Sequence, residues 1–359
     1  MVEAKHKWKA WIYLTPTLIL LAIFTVYPIF NTVLMAFREG YSPLGAQGGE
    51  TFKFGFENFA EVVSYPQFKT CLKNTLLLCV LTVPISCILA LLVAVGLNSI
   101  PKFSSLLQTI YFLPYVTNSI AIGMVFAMMF NIIGLQNMEK TVYDSMDDSL
   151  KNGLYWIETK EIPATIFSPA ITTVSGKTAG SWGLINNLIM ALGFDPVNWI
   201  NVGSAKTGAG GELRASVANY AVMVIYIVWN ALPFKIIILL GGLQSVNKQY
   251  YDAAKIDGAP RWRVFLRITV PLLSPMIAYV VITSFIAGFK EYTSIVGIYG
   301  ENMGPAGAKG VLNTMVGYVY NALTEDSYGT ASAAALILFG IILLVTLLNL
   351  YVSKKKVHY

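Results

Sequence analysis

The chain has 359 residues, 55% of them hydrophobic and only 12% charged, a balance that excludes a pair of ordinary soluble domains and points to a membrane protein. The formal net charge is +6, from 25 Lys and Arg against 19 Asp and Glu. The basic residues gather beside apolar segments, a membrane-orientation pattern, so the excess is no argument for nucleic acid.

Crossing the hydrocarbon takes roughly 20 mostly apolar residues in a helix. Six stretches qualify: Trp11–Phe37, Leu72–Leu97, Leu106–Phe130, Ser216–Leu243, Leu272–Ile298 and Ala331–Val352. The first is too long for a signal-peptide core and lacks a small-residue cleavage pattern, so it is expected to stay in the mature protein. Lys5, Lys7 and Lys9 precede it, Lys102 lies in a tight turn, and Lys354, Lys355 and Lys356 follow the last span. Together with Lys248, Lys255, Arg261, Arg263 and Arg267 these fall on one side of a six-span topology, which the positive-inside rule makes cytoplasmic, with both termini inside.

Trp8 and Trp11 form an interfacial anchor for the first span, which tolerates Pro16 and Pro28 because neighbouring helices can re-satisfy the freed carbonyls. The outer loop that follows is rich in Gly and Phe, and its run from Gly55 to Phe59 reads as a short packed segment. Cys71, Cys79 and Cys87 all lie at or within the second span, where one helix cannot bring them together. They imply neither a disulfide nor a metal site. A few residues around Pro101 join spans two and three into a hairpin, and Pro114 bends the third near Tyr115 and Ser119, which share a face.

More than eighty residues separate spans three and four on the outer side. Short apolar runs there, Leu154–Ile157 and Ala170–Val174, alternate with Pro and Gly and predict strands in a small cap. Gly176, Lys177 and Thr178 resemble the end of a nucleotide-binding loop, but Ile171 stands where that loop needs glycine, so ATP binding by this chain is rejected. In the fourth span Ile227, Asn230 and Phe234 share a face, and Lys235 either snorkels, pairs within the bundle or meets substrate.

The segment Tyr250–Pro271 is the most charged loop between two apolar spans. Asn247 or Ser245 can cap a first short helix, Gly258 supplies a left-handed stop, and Pro260 opens a second helix over Arg261–Ile268. Pro271 then ends or kinks that helix. Ala253 and Ala254 beside the bend read as a small, hard knob for another protein's groove. In the fifth span Gly288 and Glu291 share a face. Glu291 lies about 20 residues past Pro271, roughly 30 Å along an ideal helix, so it and Lys290 also suit a solvated outer interface. Small residues from Gly329 onward allow close approach of the last span.

No catalytic constellation appears. His6 and His358 lie at the extreme termini, leaving no histidine for a triad or a metal cage within the membrane. The polar groups that interrupt the spans, Asn230, Lys235, Lys290 and Glu291, instead invite a transport reading. Aromatic rings beside amides and carboxylates suit a sugar, covering its C–H faces and meeting its hydroxyls.

The spacing Asp252-Ala-Ala, Gly258, then Ile268-x-Val270-Pro271 resembles the EAA loop of ABC importer permeases, with Asp252 where Glu is typical and Val270 where Leu is typical. Leu113-Pro-Tyr115, Trp229 to Phe234, Leu243-Gln-Ser and Tyr328-Gly-Thr-Ala are similar to the maltose-type branch of carbohydrate permeases. The resemblance implies an all-α membrane protein of six transmembrane helices. One permease domain then covers 1–359, with an extracytoplasmic insertion at 132–214 and a cytoplasmic coupling loop at 245–271. It implies substrate contacts at Tyr115, Ser119, Asn230, Phe234, Gly288 and Glu291, with glycine at 288 leaving room for a larger sugar. Asp252, Ala253, Ala254, Asp257 and Gly258 would meet the ATPase. The implied partners are a second permease subunit in a heterodimer, two ATPase subunits that hold the ATP and Mg, an extracytoplasmic sugar-binding protein and membrane lipid. The implied place is a prokaryotic cell membrane. A glycerol phosphate or other polyol substrate is an alternative, since Lys235 or Lys290 could face a phosphate. A secondary transporter should show an inverted repeat and a mid-membrane carboxylate, for which Glu291 is the one candidate. A receptor or structural subunit would not need the charged loop.

Overall fold

The computed structural model describes residues 7–41, 53–100, 109, 115–130, 132–137, 155–157, 178–194, 197, 199–200, 209–305 and 310–356. Among these, four helices are long and apolar enough to cross a membrane. They are α1 (Trp11–Ala36), α3 (Pro66–Asn98), the long helix α6 (Ala209–Ser245) from Val217 onward, and α12 (Tyr328–Lys356) up to Lys354. A fifth candidate is broken into α8 (Arg261–Leu272) and α9 (Ser274–Phe289), which meet at 70°. Of the predicted third span, the shorter apolar helix α4 (Ser119–Phe130) is described, while most of Leu106–Pro114 lies outside the described residues. The remaining helices are short: α2 (Glu57–Ser64), α5 (Leu184–Ala191), α7 (Lys248–Ile256), α10 (Thr293–Tyr299) and α11 (Met315–Thr324).

The chain divides into two compact units, one from residues 1–72 and 315–343, the other from 73–314 and 344–359. In the first, α1 carries Pro16 within a regular helical stretch and meets Pro28 with a five-residue π turn at Ala22–Val26 just before it. A two-residue strand pair, β1 (Arg38–Glu39) and β2 (Lys53–Phe54), follows. Asn58 on α2 donates to the carbonyls of Ala36 at 3.1 Å and Arg38 at 3.0 Å, satisfying the end of α1. Phe37 packs against Phe56 and Phe59 with ring centroids 5.4 and 5.1 Å away, which makes the predicted packed segment a helix with an aromatic footing.

The second unit has two apolar cores strung along α3 and α6. One gathers Phe126, Val222, Met223, Tyr226, Ile295 and Leu312, where α4 and α10 meet α6. The other joins Ala90 and Ala94 of α3 to Leu239 and Leu243 of α6 and to Leu273 and Val280. Helices α4 and α10 touch backbone to backbone: a side-chain carbon on Gly123 would lie 2.6 Å from the Gly297 Cα. With apolar tails on both sides, such close approach of small residues is what drives helices together in a bilayer.

The predicted cap is represented by three antiparallel strands in the order β3 (Ile132–Asn137), β5 (Thr178–Trp182), β4 (Tyr155–Ile157), with Ile132 opposite Trp182 and Tyr155 opposite Gly180. The run Leu154–Ile157 thus supplies a strand, while Ala170–Val174 lies outside the described residues. Thr178 opens β5, not the helix a nucleotide-binding loop requires. Asn186 on α5 donates to Val197 O at 2.8 Å and accepts from Val197 N and the Trp199 indole, which staples the following chain to that helix.

The predicted fifth span, Leu272–Ile298, is not one helix. Helix α9 ends at Phe289, residues 290–292 break, and α10 starts at Thr293. Its N-terminal end is also redirected. Pro271 has no N–H for the carbonyl four residues back, and a π turn at Phe265–Thr269, closed by Val270 N–H on Phe265 O, shifts the register ahead of it. The bend then falls at Leu273, between Pro271 and Pro275, so the second helix of the loop runs past the predicted Ile268 to Leu272.

Candidate functional site

The charged loop folds as its local chemistry dictates. Asn247 caps α7, its Oδ1 accepting the Gln249 N–H at 3.0 Å. The other end of α7 is a complete Schellman turn: Gly258, at φ +63°, donates to Lys255 O at 3.1 Å, and Ala259 donates to Ala254 O at 2.9 Å. Pro260 occupies the cap of α8 at φ −67°, ψ 148°, one position ahead of the first helical turn. Tyr251 and Thr269 bring hydroxyls to 3.4 Å between the two arms. Asp252 and Lys255 form an exposed ion pair at 3.4 Å, which adds little stability.

The turn folds α8 back on α7 and leaves a groove of about 430 Å³ between them, lined by Ala253, Ala254, Asp257, Arg263, Arg267 and Ile268 among others. This corrects the expectation of a projecting knob for Ala254, while Ala253 stays exposed at the groove. Ala254 is buried against the returning arm, and small side chains here let the two helices close and shape the groove's floor. What projects is Ile256, 88% exposed at the end of α7. Of the predicted ATPase-facing residues, Ala253, Ala254 and Asp257 line the groove, while Asp252 and Gly258 flank it.

The predicted substrate contacts converge in part. Tyr115 stacks on Phe234 with ring centroids 5.8 Å apart and planes 19° off parallel. Asn230 is half-buried one turn earlier on the same helix. Ser119 joins through its backbone, its carbonyl accepting the Tyr226 hydroxyl at 2.6 Å. Tyr226, absent from the predicted set, is fully buried and also packs edge-on to Phe126 with centroids 4.9 Å apart. Its hydroxyl lies near Ser294 and the Glu291 carboxylate, so one tyrosine ties α6 to α4 and to the break above α9. A polar tip on an apolar span was the sequence signal that could have found it.

Two expectations change. Gly288 does not leave open space: a side-chain carbon there would sit 2.8 Å from Cys79 Sγ, so glycine serves the packing of α9 against α3. Glu291, expected to suit a solvated interface, is half-buried. It sits in the helix break, its carboxylate accepting the Ser294 N–H at 3.3 Å and its carbonyl accepting Thr314 Oγ1 at 2.7 Å. A carboxylate at a helix N-terminus meets unsatisfied N–H groups, which explains why the break falls there. Helix α9 is 16 residues long, about 24 Å, and Glu291 lies just past its C-terminal end.

Lys235 pairs within the bundle. It is 6% exposed, donates to Ser86 Oγ on α3 and lies 3.9 Å from Cys87 Sγ, while Ser284 of α9 approaches the same sulfur at 3.9 Å. The Ser86 hydroxyl in turn donates a hydrogen bond to the Thr82 carbonyl. No carboxylate meets Lys235 among the described residues, and three helices share this one polar junction.

The family described as "Binding-protein-dependent transport system inner membrane component" matches residues 82–358. Over 96% of its length the chain is 28% identical to the arabinooligosaccharides transport system permease protein AraP of Bacillus subtilis, covering 88% of that protein. It is 27% identical over 94% of its length to the lactose transport system permease protein LacF of Rhizobium radiobacter, covering 91% of it. A crystal structure of a bacterial ABC transporter involved in the import of the acidic polysaccharide alginate has a chain of the same fold, with TM-score 0.66 at 20% identity, covering 97% of this chain and 96% of that one. With the match running from the second span through the two-armed loop to the last helix, the chain belongs to the inner-membrane permease family of binding-protein-dependent transport systems.

Proposed function

We propose that this chain is one permease subunit of an ATP-driven importer for a sugar, most consistent with an oligosaccharide. The observation that carries the reading is the α7–α8 hairpin, a rigidly capped two-helix arm that carries a groove and runs directly into a helix of the membrane bundle. Such an arm can receive a push and convert it into rotation of α9, and with it of the second core. The engine in this reading is a pair of ATPase subunits whose closure would press on the groove around Ala253, Ala254 and Asp257. In this account the hydrolysis is theirs, and no chemistry on the sugar occurs here.

The sugar reading draws on relatives named for arabinooligosaccharide and lactose transport, and on the Tyr115–Phe234 stack with Asn230 beside it. Stacked rings next to an amide suit a pyranose face and its hydroxyls. A second permease would complete the pathway in a heterodimer. An extracytoplasmic binding protein would deliver the sugar; the bacterial alginate ABC transporter has been crystallised in complex with an alginate pentasaccharide-bound periplasmic protein. Both termini would be cytoplasmic, with six spans and the 132–214 segment outside. Cells lacking this chain should lose accumulation of one member of a labelled oligosaccharide panel and regain it on complementation. Unchanged accumulation of every sugar, with loss of a polyol phosphate instead, would replace the substrate class.

A further inference from the structure

The groove uses one side of α8, and the other side has a chemistry of its own. Trp262 and Leu266 stand one turn apart, 62% and 55% exposed, and neither lines the groove. Arg261 is exposed alongside them, while Arg263 and Arg267, also exposed, lie at the margin shared with the groove, the Arg263 guanidinium 5.6 Å from the Trp262 ring centroid. The inward positions are Val264, Ile268 and the buried Thr269. Helix α8 therefore presents an apolar stripe flanked by cations and no exposed acid between Arg261 and Leu272.

Orientation decides what such a face meets. Helix α8 turns 70° from α9, so with α9 crossing the bilayer α8 lies close to the membrane plane at its cytoplasmic surface. An in-plane helix with Trp and Leu on one stripe and arginines at its margin is the arrangement that seats rings at headgroup depth while guanidinium groups reach phosphate.

We propose that the Trp262–Leu266 stripe is an interfacial anchor for anionic phospholipid, with Arg261 engaging the headgroup phosphate, so that the arm pivots on the membrane surface while its groove is held by another protein. Anionic lipid then sets the resting tilt of α8. An arginine near such a surface adds about a five-fold preference for the charged lipid.

The test uses the complete transporter in vesicles of phosphatidylcholine alone and of phosphatidylcholine mixed with phosphatidylglycerol. A photo-activatable benzoylphenylalanine replaces Trp262 in one variant and Leu266 in another. Phospholipid mass adducts at both positions, favouring phosphatidylglycerol and losing about five-fold of that preference in an Arg261→Gln background, support the anchor. Cross-links from 262 and 266 to an ATPase subunit, or no lipid adduct at either, overturn it. The same probe at Ala253 reports on the groove separately, because a protein cross-link there bears on the coupling reading and not on the lipid.

Discussion

Replacing Gly258 with valine alters the α7–α8 turn without pushing an atom against any neighbour, because nothing lies within 4 Å of a side-chain carbon built at that position. The cost is therefore conformational. At φ +63° an ordinary L-residue loses about 1–2 kcal/mol, and a β-branched one more. A penalty of that size changes the population of the closed Schellman turn by roughly 5–30-fold. The loosened turn releases α8 from α7 and opens the groove at Ala254 and Ala259. In vesicles carrying the whole transporter, Gly258→Val should reduce ATP-driven uptake about ten-fold. Membrane insertion and basal ATP hydrolysis should persist. Asparagine tolerates the left-handed region, so Gly258→Asn should retain most transport. Equal loss in both variants, or full transport by the valine variant, would refute the argument from backbone geometry.

Gly123→Ala should lower the thermal midpoint of the purified protein by an amount equivalent to about 1–3 kcal/mol, because its new carbon meets the Gly297 backbone, whereas Gly241→Ala, in open space within α6, should be neutral or slightly stabilising. Lys235→Met should leave thermal stability unchanged or raised, since it removes an uncompensated buried charge at similar length, while Ser86→Ala should cost about 1.5–3 kcal/mol by stranding the ammonium. Tyr115→Ala and Phe234→Ala should each weaken sugar uptake chiefly through a higher half-saturation concentration, by roughly ten-fold for about 1.4 kcal/mol of lost ring contact, with ATP hydrolysis retained.

Local rules made the two-armed loop readable. Asn247, Gly258 and Pro260 act on their own backbone and its immediate neighbours, and each does in the structure what its chemistry allows. The shape of the loop was another matter, because whether Ala253 and Ala254 project or floor a groove depends on how far α8 folds back. Within the spans, composition gave the apolar stretches but not their breaks: Pro271 signals a stop or kink without fixing a π turn ahead of it, and the gap at Glu291 is capped by a single local bond to the Ser294 N–H. Gly288 looked like room for a ligand until Cys79, from a distant helix, proved to occupy it. The partner of Lys235 is 149 residues away in sequence, beyond the reach of periodicity.

The measurement that bears most directly on the transport reading is uptake of a labelled oligosaccharide into reconstituted vesicles that contain this chain, its partner permease, the ATPase subunits and the binding protein. Accumulation should require ATP on the side facing the α7–α8 arm and should continue when ion gradients are collapsed. Accumulation that follows an ion gradient and ignores ATP would contradict the account.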